Sequence, residues 1–435
     1  MKNTFKTMDF DTVMARPRPK HKNPVKPNMF WRTLIRLLTL YSLAGTGFTY
    51  TKTRMEEITK GEPCLILMNH SCFLDMPIAY RILYPRALNI VCSTDAFVGM
   101  GGFMSWLMYT IGCIPTQKFV TDISLIKDMT YSLKELKTSV LMYPEASYSF
   151  DGRATPLPRK MGVLLKKLDV PVVMIETFGA FNRNPLYNQL QVRKGVKVSA
   201  NIRCLFTREE VRQKSVQELS DGLDEAFSFD QWRWQQEQGL EIHDSFRADG
   251  LSRILYKCPH CGTEGKMTGK GIHLSCGHCG KIYELTPAGT LQATDGNSAF
   301  THVPVWNDWQ RQQVRQDILD GTYKLDIDVD IAMMVDHKAL YHVGSGHLVH
   351  DLSGFHLTGC DGRLDYHQKP QNCYGLYADY YWYEIGDMIG IGTNDVRYHC
   401  FPKSGDVVAK TRIATEEMYK LYKSRQLKMP ETATL

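Results

Sequence analysis

The chain has 435 residues, 43% hydrophobic and 23% charged, with a net charge of +6. That length predicts two or three domains, and the composition excludes a disordered or low-complexity chain. The charge excess gives no good evidence for nucleic-acid binding, so its distribution matters more than its sum. Of the twelve cysteines, four form two close pairs and several others sit in apolar runs, such as Cys64, Cys92 and Cys204. This pattern predicts a reducing compartment and buried thiols, not a disulfide framework.

The opening MKNTFKTMDFDTV lacks an apolar h-region and a small-residue cleavage site, so no secretory signal is expected. No acidic residue lies between Asp11 and Glu56, while Arg16, Arg18, Lys20, Lys22, Lys26, Arg32 and Arg36 all do. Pro17, Pro19, Pro24 and Pro27 predict an extended basic arm over residues 1–28. A helix follows, with Phe30, Leu34, Leu37, Leu38 and Tyr41 on one face and Arg32 and Arg36 on another; Gly45 and Gly47 end it. Its uncharged stretch falls short of the about 20 residues that cross a bilayer. An interfacial helix with Trp31 at its edge is expected instead. The implied partner is a membrane surface with anionic lipids. The implied location is peripheral or monotopic, on the cytoplasmic face of a membrane. A helix packed on the protein's own core is the competing reading.

Residues 63–68, PCLILM, read as a short buried strand that runs into NHSCFLD, residues 69–75. A strand-to-helix turn here lets the Asp75 carboxylate reach the His70 imidazole. The carboxylate fixes the tautomer and leaves the other ring nitrogen free to take a hydroxyl proton. An acceptor hydroxyl can then attack directly, with backbone amides at the start of the following helix as oxyanion donors. Ser71 and Cys72 keep a covalent route open on spacing alone. Further along come GCIPTQK, ending at Lys118, then YPEASYS over 143–149, and VPVV from residue 170.

These four blocks, in this order, resemble the glycerolipid acyltransferase family that forms phosphatidic acid from 1-acyl-sn-glycerol-3-phosphate. The resemblance covers residues 30 to about 210. It implies an α/β acyltransferase domain over 29–243, with the N-terminal membrane-associated helix, His70 as general base and Asp75 as its orienting partner. It also implies Lys118, Glu145, Ser147 and Tyr148 as substrate-binding residues, and acyl-CoA or acyl-ACP as the acyl donor. The third block departs from the family's Gly-Thr-Arg-Ser continuation, reading Ala146, Ser147, Tyr148, Ser149. Tyr148 replaces an arginine that holds phosphate, and a tyrosine offers a hydrogen bond but no charge. Arg153, Arg159 and Lys160 are candidate replacements for that cation. The apolar segment Gly101–Ile114 suits either an acyl-chain slot or an ordinary buried helix.

CPHC at 258–261 and CGHC at 276–279 have the spacing of a four-cysteine zinc ribbon, expected over 254–290. Cys258, Cys261, Cys276 and Cys279 leave no open coordination position, so the zinc is structural. A linker around 243–250 precedes it. Beyond it, 291–435 predicts a mainly-β domain with a terminal helix from Ala414 to Arg425. Element order suits a β-sandwich or a pleckstrin-homology-like barrel. Leu325, Ile327, Val329 and Ile331 alternate with Asp326, Asp328 and Asp330 as in a half-buried strand. Seven histidines between His337 and His399 match no standard ligand set. Two functions compete. One is a membrane-associated O-acyltransferase. The other is a non-catalytic lipid-binding or scaffold protein that uses the ribbon or the C-terminal domain for a protein partner.

Overall fold

A computed structural model describes residues 5–99, 102–189, 191–403 and 405–427. Gly101, the first residue of the apolar segment noted above, lies outside them, as do residues 1–4 of the arm and residues 428–435.

Strand β1 (Phe5–Thr7) opens the chain, and seven strands then build the first sheet: β2 (Thr49–Thr53), β3 (Leu65–Met68), β4 (Leu88–Ser93), β5 (Cys113–Thr116), β6 (Ser139–Met142), β7 (Val172–Phe178) and β8 (Ser199–Phe206). Their order is β2-β8-β7-β3-β6-β4-β5. Only β7 and β8 pair antiparallel. β3 reads as an unbroken apolar run because it is central and buried throughout, as a strand covered on both faces must be. Helices Asp75–Leu83, Ile123–Lys134 and Met161–Leu168 form the crossovers. His70 follows β3 and Glu145 follows β6, so both lie at the carboxyl ends of adjacent parallel strands, where open α/β sheets place their sites.

The ribbon is a four-stranded antiparallel meander of β9 (Met267–Lys270), β10 (His273–Cys276), β11 (Ile282–Leu285) and β12 (Leu291–Ala293). It is not a separate body. Leu274, Tyr283 and Leu285 share one core with Leu251 and Leu255 of the preceding segment, with Trp232 of the first domain, and with Trp306 of the helix Val303–Leu319.

The C-terminal domain holds β13 (Leu325–Met334), β14 (Leu340–Asp351), β15 (Gly354–Gly359), β16 (Leu364–Gln368), β17 (Tyr377–Trp382), β18 (Gly386–Gly392) and β19 (Arg397–Pro402), then the helix Val408–Lys423. The sheet runs β16-β15-β14-β13-β19-β18-β17, antiparallel along this path. Val329 and Ile331 face its core while Asp326 and Asp328 are exposed, as the alternation predicted. Helix packing places this domain over the 146–155 loop of the first domain. Phe150 joins its core, and the Arg412 guanidinium lies 3.8 Å from the Phe150 ring centroid.

The basic arm is not a free extension. β1 pairs parallel with β14, and the short helix Phe10–Met14 buries Phe10 and Val13 in the C-terminal core. Arg16 meets Asp336 at 2.7 Å, Arg363 meets Asp9 and Asp11 at 2.8 Å, and His21 meets Asp128 at 2.9 Å. The prolines kept this segment extended, but its partners lie between 107 and 354 residues away and left no local signal.

Trp306 is fully buried, packs on the Tyr283 ring at 4.9 Å and donates from Nε1 to the Lys257 carbonyl at 3.0 Å. Trp306→Ala should destabilise the protein by about 3–5 kcal/mol, read as a lower urea midpoint with the slope of the transition unchanged.

Candidate active site and metal centre

The turn after β3 is organised by one carboxylate oxygen. Asp75 heads its helix, and its Oδ2 accepts the Ser71 amide at 2.6 Å, the Cys72 amide at 3.1 Å and His70 Nδ1 at 2.9 Å. An oxygen already accepting two amide protons also acts as acceptor for the ring. The Nδ1 proton therefore points to Asp75, and Nε2 carries the free lone pair. Asp75 is buried and the His70 side chain is 18% exposed. Burial pulls the imidazole below its ordinary value, opposed by Asp75 and reinforced by the charge of Lys118. The ring is neutral at pH 7 and able to take a proton. Burial raises the Asp75 carboxyl, against the pull of His70 and the two amides.

The His70 ring lies between two tyrosines. Tyr143 stacks on it with centroids 4.2 Å apart, and Tyr148 lies tilted at 4.1 Å. Tyr148 therefore helps to hold the catalytic candidate itself, and Phe73, 65% exposed, packs edge-on against it at 5.5 Å. The chain reaches this position through Ala146, which sits at φ 57° where the resembled block has glycine. A left-handed alanine costs about 1 kcal/mol. Around the ring, Asp75 Oδ1, Tyr143 OH and Ser147 Oγ are buried without a protein partner. Such unsatisfied groups cluster where a protein handles a ligand or strain.

The structure gives two expected substrate contacts other work. Glu145 is fully buried; its Oε2 accepts the His70 amide at 2.9 Å and its Oε1 the Thr155 amide at 2.7 Å. It ties the third block to the base and presents no free oxygen to an acceptor. Arg153 forms a bidentate pair with Asp308 at 2.8 Å and also meets Asp151, so its cation is already neutralised. Ser147 is buried. Lys160 is exposed at the start of the helix Met161–Leu168. The Arg159 guanidinium lies over Tyr419. Lys118 is different. Partly buried, it has no carboxylate within ion-pair distance among the described residues, and its Nζ lies 4.3 Å from the Tyr377 ring centroid. Burial lowers its pKa, with Asp379 and Asp95 acting to raise it.

Three of the backbone amides at the helix start are committed. The Ser71 and Cys72 amides bind Asp75, and the Asp75 amide bonds the Cys72 carbonyl at 3.1 Å. Nor are the neighbouring nucleophiles poised. Ser71 Oγ is buried among Asn69 and Thr177, and burial raises the Cys72 thiol far above its usual range, helped by the Asp75 charge.

Sequence reasoning missed the C-terminal contribution. Arg412 Nη2 donates to Oγ1 of Thr155 at 2.8 Å, the residue whose amide Glu145 also holds. Tyr377 bonds Asp95, Trp382 Nε1 donates to Tyr377 OH at 2.8 Å, and Arg397 donates to the Lys118 carbonyl at 2.8 Å. No local pattern marks residues whose partners arrive from another domain.

The four ribbon thiols converge. Cys258 and Cys279 Sγ are 3.8 Å apart, as are Cys261 and Cys276 Sγ. Zinc–sulfur bonds of about 2.3 Å give a tetrahedral edge of about 3.8 Å, so the donor set fits that ion. Each knuckle closes alike, with Gly262 and Gly280 at φ 73° and 75° donating to the carbonyls of Cys258 and Cys276 at 2.9 Å. His260, His273 and His278 are exposed and stand outside the set.

Burial pushes the Glu145 carboxyl up to about 8, against its two amide donors. An unfolded glutamate releases its proton near its ordinary value of about 4.3. Between these limits the folded chain holds the extra proton, so this group makes the fold less stable as pH rises through that window. Glu145→Gln removes that slope, although one amide loses its acceptor. Urea midpoints at about pH 5 and about pH 8 should lie closer together in the variant than in the wild type.

Residues 50–175 match the Acyltransferase family model. Among curated proteins, the chain is 28% identical over 120 residues to the chloroplastic 1-acyl-sn-glycerol-3-phosphate acyltransferase BAT2 of Brassica napus, covering 27% of this chain and 33% of that protein. It is 24% identical over 139 residues to the human 1-acyl-sn-glycerol-3-phosphate acyltransferase beta, covering 31% and 49%. The chain thus spans a third to a half of the length of these relatives. Among solved structures, the 1-acyl-sn-glycerophosphate acyltransferase PlsC of Thermotoga maritima is 13% identical, with a TM-score of 0.31, over 44% of this chain and 78% of that one. The matched residues 50–175 include His70, Asp75, Lys118 and Glu145.

Proposed function

We propose that this chain is a membrane-associated O-acyltransferase. It moves an acyl chain from acyl-CoA or acyl-ACP to a hydroxyl of a lysophospholipid-type acceptor, 1-acylglycerol-3-phosphate first among them. The observation that carries this reading is the His70 ring, bonded to Asp75 through Nδ1 and held between Tyr143 and Tyr148. Nε2 takes the proton of the acceptor hydroxyl as the hydroxyl oxygen attacks the thioester carbonyl; the carbon–sulfur bond then breaks, and the imidazolium returns the proton to the departing thiolate, which leaves as the free thiol. Buried Ser71 and Cys72 argue for direct attack over an acyl-enzyme. Lys118 is the cation that suits an acceptor phosphate. Catalytic geometry and the family matches do not favour the non-catalytic alternative.

The membrane reading rests on exposed apolar surface. The helix Met29–Ser42 leaves Phe30, Leu37, Leu38 and Tyr41 between 59% and 86% exposed, with Trp31 and Ile35 packed inward on the first domain. Trp31 meets Trp106 of the helix Phe103–Thr110 at 6.1 Å, and Phe103 and Trp106 are also half exposed. Monomeric surfaces rarely leave such a patch uncovered. Arg32 and Arg36, folded onto Pro85 and Tyr84, border it. No described helix is long and apolar enough to cross a bilayer, which suits a helix lying in the interface of the cytoplasmic leaflet. The ribbon holds a structural zinc that sets the fold of the segment on which Trp306 packs. Its outer face or the C-terminal domain remains a candidate surface for a protein partner.

His70→Ala should lower acyl transfer by roughly 10²–10⁴-fold with the urea midpoint retained, and full activity in the folded variant would overturn the mechanism. Because burial lowers the His70 pKa, transfer at subsaturating acceptor should stay level through neutral pH. It should fall only below the ordinary imidazole range of about 6.5. Metal analysis of chain purified without chelators should give one zinc per chain, lost in Cys258→Ser; a metal-free folded wild type would rule the zinc out.

A further inference from the structure

The outward face of the C-terminal sheet carries a second group of metal-ligating side chains, far from the ribbon in sequence and unused by the acyl-transfer reading. His356 on β15 and His367 on β16 are direct cross-strand partners. Their rings stack with centroids 3.8 Å apart and planes 15° from parallel. Asp365 stands two residues before His367, so the strand pleat returns it to the same face. Its Oδ1 lies 2.8 Å from His356 Nε2 and 3.3 Å from His367 Nε2. The Nε2 atoms of the two histidines and the Asp365 Oδ1 thus all lie within 4.8 Å of one another.

Such separations have a meaning in coordination chemistry. Nitrogen and oxygen ligands sit about 2.0–2.2 Å from a late first-row divalent ion, which places adjacent ligands about 3.0–3.5 Å apart. The two nitrogen–oxygen separations lie at or close to that range. Two imidazoles with one carboxylate on a single face also form the donor set of a facial three-ligand site that leaves its remaining positions open. The strands fix this arrangement, because a cross-strand pair in register holds its side chains side by side whether or not anything is bound.

A neighbouring histidine shows what an ordinary ion pair looks like on the same face. His347 on β14 points its two ring nitrogens at different carboxylates, Nε2 to Asp326 at 2.6 Å and Nδ1 to Asp328 at 3.0 Å. Both nitrogens act as donors there, and the Asp328 hydrogen bond leads in raising that imidazole's pKa. His347 is a cation between acids, with no nitrogen left for a ligand bond. His356 and His367 instead direct the same nitrogen at one shared site.

We propose that His356, His367 and Asp365 form an open, solvent-accessible site for a late first-row divalent transition metal, separate from the four-cysteine centre. With side-chain exposures of 36%, 64% and 66%, the three ligands admit an ion from solvent without opening the fold. Imidazole donors favour nickel, copper, cobalt or zinc over magnesium and calcium.

The test is titration of the full-length, zinc-loaded protein with nickel ions, followed by calorimetry. Wild type should take up one nickel ion beyond the ribbon metal. His356→Ala and His367→Ala should each lower affinity at least tenfold, and His347→Ala should leave it unchanged. The variants change exposed side chains, and an unaltered circular dichroism spectrum and urea midpoint confirm that each is folded. Equal nickel binding by wild type and the His356→Ala/His367→Ala double variant would overturn the site. So would no wild-type binding tighter than millimolar, or an equal loss in His347→Ala.

Discussion

One carboxylate oxygen governs the candidate site. Asp75 Oδ2 gathers the Ser71 and Cys72 amides and the His70 ring, and it does so while buried. A charge in that position is costly unless its hydrogen-bonding capacity is used. Three donors from one turn use it, and the same bonds set the tautomer of His70. Asp75 thus makes the turn from strand to helix and the base one structural unit. The turn that orients the His70 ring also buries Ser71 and Cys72.

A second buried carboxylate extends this unit. Glu145 closes the space between the ends of β3 and β6 by binding the His70 and Thr155 amides. From there the contacts leave the first domain: Arg412 reaches Thr155, Asp308 takes Arg153, and Phe150 enters the C-terminal core. The loop that carries Tyr148 is held from both sides. The C-terminal domain is therefore part of what shapes the site, and the N-terminal segment, through β1 and Phe10–Met14, is stitched to that same domain.

Much of this was legible in the sequence where spacing carries geometry. NHSCFLD gave the His70–Asp75 pair because a strand-to-helix turn brings those positions together. The paired CxxC motifs gave the sulfur cluster because each knuckle is local. The alternation at 325–331 marked β13 because one face is solvated. What stayed hidden depends on distant partners. Residues 5–28 read as a basic arm, since composition shows charge and prolines but not the Asp336 and Arg363 that receive them. Arg153 read as a free cation until Asp308 appeared beside it. Glu145 read as a substrate contact because a catalytic carboxylate and a backbone clamp look alike in sequence. Tyr148 read as a lost arginine, and only its stacking on His70 shows what the residue does instead.

The direct-attack account is tested most directly by intact-protein mass measurement during turnover with a labelled acyl thioester, first alone and then with 1-acylglycerol-3-phosphate. It predicts no acyl adduct on the protein in either case and labelled diacyl product once the acceptor is added. An acyl adduct on Ser71 or Cys72 that forms without acceptor and transfers on its addition would contradict it, as would the absence of product from folded protein.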